Sequence, residues 1–589
     1  MRKLVYALVT TGLLALGGCT LPKMVKMAKE QQLTVTPNPL EVHKDTVAFS
    51  MAANLPVKML KKGTTYTVNT YYKYGEQESA LEPVVFNAND YPNAATEQPR
   101  VTKNFAFAYN PAMKSGVLQV EGVAAKGTKS KATPRMDVAV GVITTSKLVK
   151  PVAFPVYAAH GYNNQEEIIP VVIPDFIFEQ GKSVLRRSEI NSEKGKKLDA
   201  FIASKNVTKT VTITGTHSPE GAERINSKLA PDRAKAIEKY YRDQMKKYDY
   251  KKQADEIQFV LKPVVRDWTE FKNALANYSG ISSEEKAEYL NIINAGGTFE
   301  EQEKKMKKLP TYKKVFRDVY PGLRTAKTEI LTIKEKKTDA EISVLAKQIT
   351  AGEAKPDALS FEEMMYAATL TPSLAEKVAI YEAATKKGTY WNAHNNLAAA
   401  YIAQAIENPS NAASLAEKAK AHLDIAARLN AAPEVHANLA SVAMLQGNPY
   451  AAYAHANRAT GLRGDNAAGL NGVKAAAAIY IARYSEAVSA ASAAANTADN
   501  LFNKGLAQVL NKDYQNALNS FAEATRINSN HALAWYGAAV ASARLGNADG
   551  VVSNLANAVK AEPSLKEMAL TDLEFARFNT TEAFRNVLK

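Results

Sequence analysis

The spacing of apolar residues changes period along this chain, and each change marks a different kind of element. From about Leu33 to Ile169 the period is two: Val47, Phe49 and Met51 alternate with polar neighbours, as do Tyr66, Val68, Thr70 and Tyr72, and later Met136, Val138, Val140 and Val142. Asn38-Pro39, Asn87 to Asp90 and Asn110-Pro111 punctuate these runs as turns do. The pattern predicts a small all-β antiparallel sandwich over residues 33–169. It carries no acid pair, metal cluster or nucleophile that stands out, which leaves it a structural or adhesive role.

Further on, Val211 and Ile213 alternate with threonines as in a half-buried strand. Gly215, Pro219 and Gly221 then interrupt, and Ile225, Leu229, Ala234 and Ile237 continue at helical spacing. A strand, a polar turn and a helix are expected, with the unpaired N–H groups of the helix start facing any ligand at the turn. A strand at Ile257 to Leu261 follows, then helical spacing from Trp268 to Tyr320, then a closing strand at Thr328 to Ile333. The helical stretch reads as an insertion at about residues 265–322, of the kind that surface connections tolerate. It contains Lys304 to Lys308 (interrupted by Met306), Lys313 and Lys314. That cluster is either a contact for acidic glycan or lipid headgroups or, more simply, a solvated helix face.

The order Gly215-Thr216-His217-Ser218-Pro219-Glu220-Gly221, then Asn226, Leu229 and Arg233-Ala234, resembles the OmpA C-terminal-like domain. The usual pattern there is Gly-His-Thr-Asp-x-x-Gly, then Asn, Leu-Ser and Arg-Ala. Phe178, Gly181, Lys182 and Ser183 resemble the opening strand of that domain. The resemblance implies a central α+β domain over residues 170–336 that holds the peptide stem of peptidoglycan. Counted back from Gly221, the family's His position is Thr216, and its ligand-binding Asp position is Ser218. The resemblance therefore gives Ser218, Glu220, Asn226 and Arg233 as candidate peptidoglycan-binding residues. In the family the Asp and Arg grip the ammonium and carboxylate of diaminopimelate. Arg233 remains for the carboxylate, whereas Ser218 offers the ammonium only a neutral hydroxyl. Losing one charged partner weakens binding by about 10- to 100-fold, unless Glu220 supplies the carboxylate.

Beyond about Thr338 the composition turns to alanine-rich helix, and the helices repeat. Leu501, Gly505, Ala517, Phe521 and Ala524 align with Trp535, Ala539, Val551, Leu555 and Ala558 at one constant shift, 535 − 501 = 34. That period resembles the tetratricopeptide repeat. Looser units surround Leu439, Ala452 and Ala456; Leu397, Tyr401, Ala419 and Leu423; Tyr484, Ala487 and Ala491; and, degenerately, Tyr381 and Ala384. An all-α tetratricopeptide solenoid is expected over residues 337–589, with Trp535, Phe521 and Leu555 filling the space between units. An unidentified protein partner is expected in its groove.

Length and composition agree with this multidomain reading. A chain of 589 residues exceeds the roughly 250–300 residues at which single cores stop growing. Lys+Arg 74 against Asp+Glu 59 gives 74 − 59 = +15, but no nucleic-acid motif accompanies the charge, and no nucleic-acid partner is expected. The single cysteine, Cys19, follows a basic start at Arg2-Lys3, an apolar run from Leu4 to Leu16, and Gly17-Gly18. This resembles a bacterial lipoprotein signal over residues 1–18. Cleavage would leave Cys19 acylated at the head of a linker, residues 19–32, anchored in the outer membrane. Lys23, where an acid would suggest export to the surface, points to the periplasmic face. Adjacent His217 and Ser218 rarely point at one another on a turn, and no third partner orients them. The scattered histidines show no metal-ligand spacing, so neither an enzyme nor a cofactor is expected. Two readings follow: a wall-associating envelope lipoprotein that docks proteins through its repeats, or a scaffold subunit of an outer-membrane assembly or secretion machine with little or no peptidoglycan binding.

Overall fold

The computed structural model describes residues 20–589 except 251, 252 and 266; the proposed signal stretch and Cys19 lie outside the described residues. The chain divides into two compact units, Met1–Gly161 with Ile342–Lys589, and Tyr162–Glu341.

In the first unit the strands pair into two antiparallel sheets. One joins Gln32–Thr36, Val42–His43 and Arg100–Ala108 to Thr46–Asn54. The other runs Gln77–Asn87, Thr65–Tyr74, Gly116–Lys126, with Lys129–Ala132 and Met136–Gly141 both pairing to the last of these. The two alternating runs that begin at Val47 and Tyr66 point inward as their period requires, burying Val47, Phe49, Met51, Tyr66, Val68 and Tyr72. The third run does so only in part: Met136 and Val140 are exposed, Val138 is half-buried against the core and Val142 is buried, and the pairing with Gly116–Lys126 shifts register between Leu118 and Gln119.

The helical part of this unit is an array of pairs. The helices Ala498–Leu510 and Tyr514–Ile527 are followed by Ala532–Arg544 and Ala548–Ala561, and all four bounds move by 34 (532 − 498, 544 − 510, 548 − 514, 561 − 527). Earlier pairs are Trp391–Glu407 with Ala412–Leu429, Pro433–Leu445 with Pro449–Arg458, and Gly464–Tyr480 with Tyr484–Ser492. The first helix of each pair packs on the first helix of the next as well as on its own partner, whereas second helices do not meet one another closely. The first helices therefore form the inner row of the curve. Phe521 and Leu555 are fully buried between helices; at the other expected position Trp535 is half-buried and its neighbour Tyr536 fills the core. One part of the joint between sandwich and array is an ionic cluster. The Arg544 guanidinium bonds the Glu574 carboxylate at 2.5 and 2.9 Å and Glu41 at 2.9 Å, and the Thr145 hydroxyl donates to Glu574 at 2.6 Å. Burial raises the Glu41 pKa, but His43 and Arg544 outweigh it and hold it at about 2. These groups line a cavity of about 520 Å³ with His43, Tyr484 and Lys512.

The second unit is a four-stranded sheet in the order Ile168–Ile177, Thr325–Ile333, Thr208–Gly215, Gln258–Pro263; only the last two are parallel. Helices Glu193–Ala203 and Glu223–Lys247 bury Leu198, Ile202, Ala234, Ile237 and Tyr241 on Val211, Ile213 and Ile330. The first strand begins at Ile168 and ends at Ile177, so Gly181, Lys182 and Ser183 sit beyond it in a turn rather than in an opening strand. Between the third and closing strands lie the helices Thr269–Asn277, Ser283–Asn294, Phe299–Met306 and Tyr312–Asp318. They have a core of their own: Trp268, Phe271, Tyr289, Phe299, Met306 and Tyr320. Lys304, Lys305, Lys307, Lys308, Lys313 and Lys314 are all exposed.

Two predictions concern the array. Phe521→Ala should lower its unfolding free energy by about 3–5 kcal/mol, read from denaturant titration, as buried aromatic truncations do. The half-buried pairs His394/His422 and His436/His455 place their Nδ1 atoms 3.0 and 3.4 Å apart. Burial, and in three of the four a neighbouring His or Arg charge as well, lowers all four pKa values, Glu382 and Asp424 opposing at His422 and His455. The unfolded chain therefore takes up protons first as pH falls past about 6.5, so stability should fall from there and level off below the native pKa values. A urea midpoint that stays constant between pH 7.5 and 5 would contradict this.

Candidate functional site

The turn after Thr208–Gly215 is built largely from buried polar side chains. Gly221 adopts φ +100°, which lets the chain reverse into the helix Glu223–Lys247. Asn226, on the first turn of that helix, is buried and donates to the carbonyls of Glu220 at 3.0 Å and Ser218 at 3.5 Å, closing the loop on itself. Thr216 pairs with the closing strand: its N–H donates to the Thr325 carbonyl, and its hydroxyl lies 2.8 Å from the Leu323 carbonyl and 3.0 Å from the Thr325 hydroxyl.

Arg233 is 1% exposed and donates to three carbonyls, those of Thr216 at 2.7 Å, Lys182 at 3.1 Å and Glu179 at 3.2 Å. It staples the turn to the segment after the first strand. Burial and the nearby Arg324 guanidinium pull its pKa down to about 10, which still leaves it charged at neutral pH.

Glu220 and Ser218 meet a residue that the sequence did not single out. Arg324, just before the closing strand, places Nε 2.9 Å from Glu220 Oε1 and 3.2 Å from Ser218 Oγ, with Nη2 2.9 Å from the same carboxylate oxygen. The two side chains are only 10% and 7% exposed. The helical insertion closes over them. Phe299 packs edge-on against His217 and stacks on Trp268, and the Glu300 carboxylate accepts the Glu223 N–H at the helix start. His217 donates to or accepts from nothing but its own turn, its Nδ1 lying 2.8 Å from the Ser218 carbonyl, and burial lowers its pKa. Among the described residues, Glu220 Oε2 and His217 Nε2 are buried without a hydrogen-bond partner. The four candidates thus come together, but in two roles: Asn226 and Arg233 hold the backbone, while Ser218 and Glu220 hold Arg324. Arg324 lies 104 residues from Glu220, so only the fold relates them.

The inner row of the array carries the second arrangement. Residues Val149 to Gly161, which follow the sandwich, have no regular secondary structure and lie along the first helices. Asn503 pairs with both backbone groups of Lys150, each at 2.9 Å. Ser441 does the same for Phe154, Asn438 for Val156 and Asn396 for Ala158, at 2.7 to 3.0 Å. Asn395 adds a bond to the Val156 carbonyl at 3.0 Å. All five side chains are 0–1% exposed. Phe154 lies over Gly469, where a Cβ would come within 2.3 Å of its ring. Tyr157 stacks on Tyr381 at 6.2 Å. The groove in which the sequence placed a partner therefore holds an extended peptide, and that peptide is the chain's own.

A comparison with known protein families finds no match, and no curated protein matches either. Solved structures do resemble the chain. The APC/C hetero-tetramer Cut9-Hcn1 is 14% identical over 43% of this chain and 46% of its own, with a TM-score of 0.31. YrrB, a TPR protein with an unusual peptide-binding site, is 18% identical over 39% of this chain and 97% of its own, with a TM-score of 0.21. The C-terminal part of a TPR repeat-containing protein from Cytophaga hutchinsonii is 13% identical over 39% of this chain and 100% of its own, with a TM-score of 0.27. The match to the first of these spans less than half of that chain.

The buried pair at the turn makes its own prediction. Arg324→Gln strands the Glu220 carboxylate and should destabilise the second unit by about 3–5 kcal/mol, whereas Arg324→Gln with Glu220→Gln should recover most of that loss. A double-mutant cycle by chemical denaturation measures it; additive single losses would show that the pair is not coupled.

Proposed function

We propose that this chain is a non-enzymatic scaffold, anchored by lipid at Cys19 to the periplasmic face of the outer membrane. On this reading its helical array serves protein–protein interaction, and its central unit is an OmpA-like domain with weak peptidoglycan association. The observation that carries the scaffold reading is the buried row of Asn396, Asn438, Ser441 and Asn503, a surface built to pair with peptide backbone. A row of this kind recognises extended chain and has no chemistry to offer a reacting bond.

Two observations support weak rather than tight wall association. Glu220, the carboxylate that could replace the missing Asp, already bonds Arg324, and Arg233 already donates to three carbonyls. A diaminopimelate ammonium would find Glu220 Oε1 held by Arg324 and only the buried Oε2 without a partner, so reaching it means opening a pair that is 7–10% exposed, which costs several kcal/mol. Introducing a carboxylate at Ser218 would, in this geometry, supply Arg324 with a second acid before it supplied a ligand.

Three measurements on the full-length protein test the reading. Cys19→Ala should move it from the membrane to a soluble fraction; retention on the membrane would remove the lipid anchor. Co-sedimentation with purified sacculi should be weak and should rise about 10-fold in Arg324→Gln once that variant is confirmed folded by circular dichroism. Tight binding by the wild type would return the wall to the centre of its function. Crosslinking of the intact protein in membranes should capture a protein attached through residues 337–589, read from the crosslinked peptides by mass spectrometry, and crosslinks confined to other residues would place the partner surface elsewhere.

A further inference from the structure

We propose that the inner face of the array is a backbone-reading peptide site whose own segment, residues 149–159, is a tethered and displaceable occupant. Its occupant in trans is an extended, proline-interrupted apolar segment of another protein. This rests on the scaffold reading and adds the chemistry of what is docked and why the site is closed.

The recognition is of main chain. Lys150, Phe154, Val156 and Ala158 each have their N–H and C=O taken by one side chain of the array. In an extended chain residues 154, 156 and 158 share one edge, because the period is two. Pro151 and Pro155 stand at odd positions, off that edge, where no N–H is asked for. Three seats add selectivity. Phe154 occupies the space over Gly469, Val156 is fully buried, and Tyr157 lies between Tyr381 and Lys377. An aromatic residue, then proline, then an aliphatic residue, on extended backbone, is the segment this surface fits.

Displacement is chemically balanced. Among the described residues, no backbone–backbone hydrogen bond involves residues 149 to 159, so these main-chain groups depend on array side chains rather than on a sheet. A competitor with the same backbone spacing replaces each bond with one like it. What protects the groove is the tether. Attachment at both ends gives the occupant an effective concentration in the millimolar range, so a free peptide at micromolar concentration does not enter. A partner that holds the protein at a second point meets the groove on equal terms.

The test uses the full-length protein with residues 150–158 replaced by a Gly/Ser sequence of equal length, and a labelled synthetic peptide of residues 149–161. The replaced chain should bind the peptide, with wild-type affinity about 10²- to 10⁴-fold weaker. Asn438→Ala in the replaced chain should weaken binding about 10-fold or more. Failure of a replaced chain with intact circular dichroism and cooperative unfolding to bind, or wild-type binding of equal strength, overturns the proposal. If the replaced chain does not fold, hydrogen exchange on the wild type decides. Amides of Lys150, Val156 and Ala158 that open well before those of helix Pro433–Leu445 support a displaceable occupant, and exchange only with global unfolding overturns it. A wild-type dimer that Asn438→Ala converts to monomer would make the occupant a second copy of this chain and overturn the assignment to another protein. Loss of crosslinked partners without loss of peptide binding would strike the scaffold reading and leave the site.

Discussion

Extended backbone can be buried only if every N–H and C=O finds a partner, and that requirement governs how the first unit is held together. Between the last strand of the sandwich and residue 161 the chain crosses the array without a neighbouring strand to pair with. Four side chains do what a strand would do. An asparagine amide offers one acceptor and donors in the geometry of a peptide group, and a hydroxyl can both accept and donate. Removing one takes the partner from both the N–H and the C=O of one residue, at about 1–3 kcal/mol for each group left orphaned. The alanine-rich composition of the inner helices belongs to the same constraint, since small neighbours let a peptide approach the helix surface closely enough to be bonded.

In the second unit the governing term is electrostatic. Two guanidiniums and one carboxylate lie within a buried turn, and the cost of desolvating them is offset only because each has fixed partners. Arg233 is satisfied by carbonyl dipoles and Arg324 by Glu220, and burial first, then the Arg324 charge, lowers the pKa of Arg233. With only one carboxylate there, Arg324 has a single strong partner and holds it, which leaves little unpaired charge for a ligand to recognise.

Periodicity made the secondary elements legible. Alternation placed Val47, Phe49 and Met51 inward, and the constant shift of 34 recurs in the bounds of the last two helical pairs. Alternation misled at Met136 and Val140, which are exposed on a strand whose register shifts against its neighbour, a feature that no single strand's sequence records. Ser218, Glu220, Asn226 and Arg233 were found because they fall on one local pattern. Arg324 was not, since it is brought to Glu220 by the order of strands in the sheet. The groove segment was missed for a different reason: residues 149–161 fall within the stretch that reads as sandwich, 33–169, whereas they carry no strand and lie on the array, and Asn396, Asn438 and Asn503 are ordinary residues on helices. The one signal available was an asparagine at the sixth position of three first helices, Trp391–Glu407, Pro433–Leu445 and Ala498–Leu510, which is costly for helix propensity and asks for a partner.

Occupying a recognition surface with a piece of the same chain changes what binding means thermodynamically. An internal occupant has already lost its translational freedom, so it holds its site with bonds that a free ligand of the same composition could not use as effectively. Affinity for an incoming segment is then set by the difference between two similar sets of bonds rather than by their sum. Small changes decide the outcome: one additional contact elsewhere, worth a few kcal/mol, moves the equilibrium by a hundredfold or more, while the bonds in the groove contribute almost nothing to the net change. A groove closed in this way is insensitive to abundant weak peptides and responsive to a partner that brings a second point of attachment.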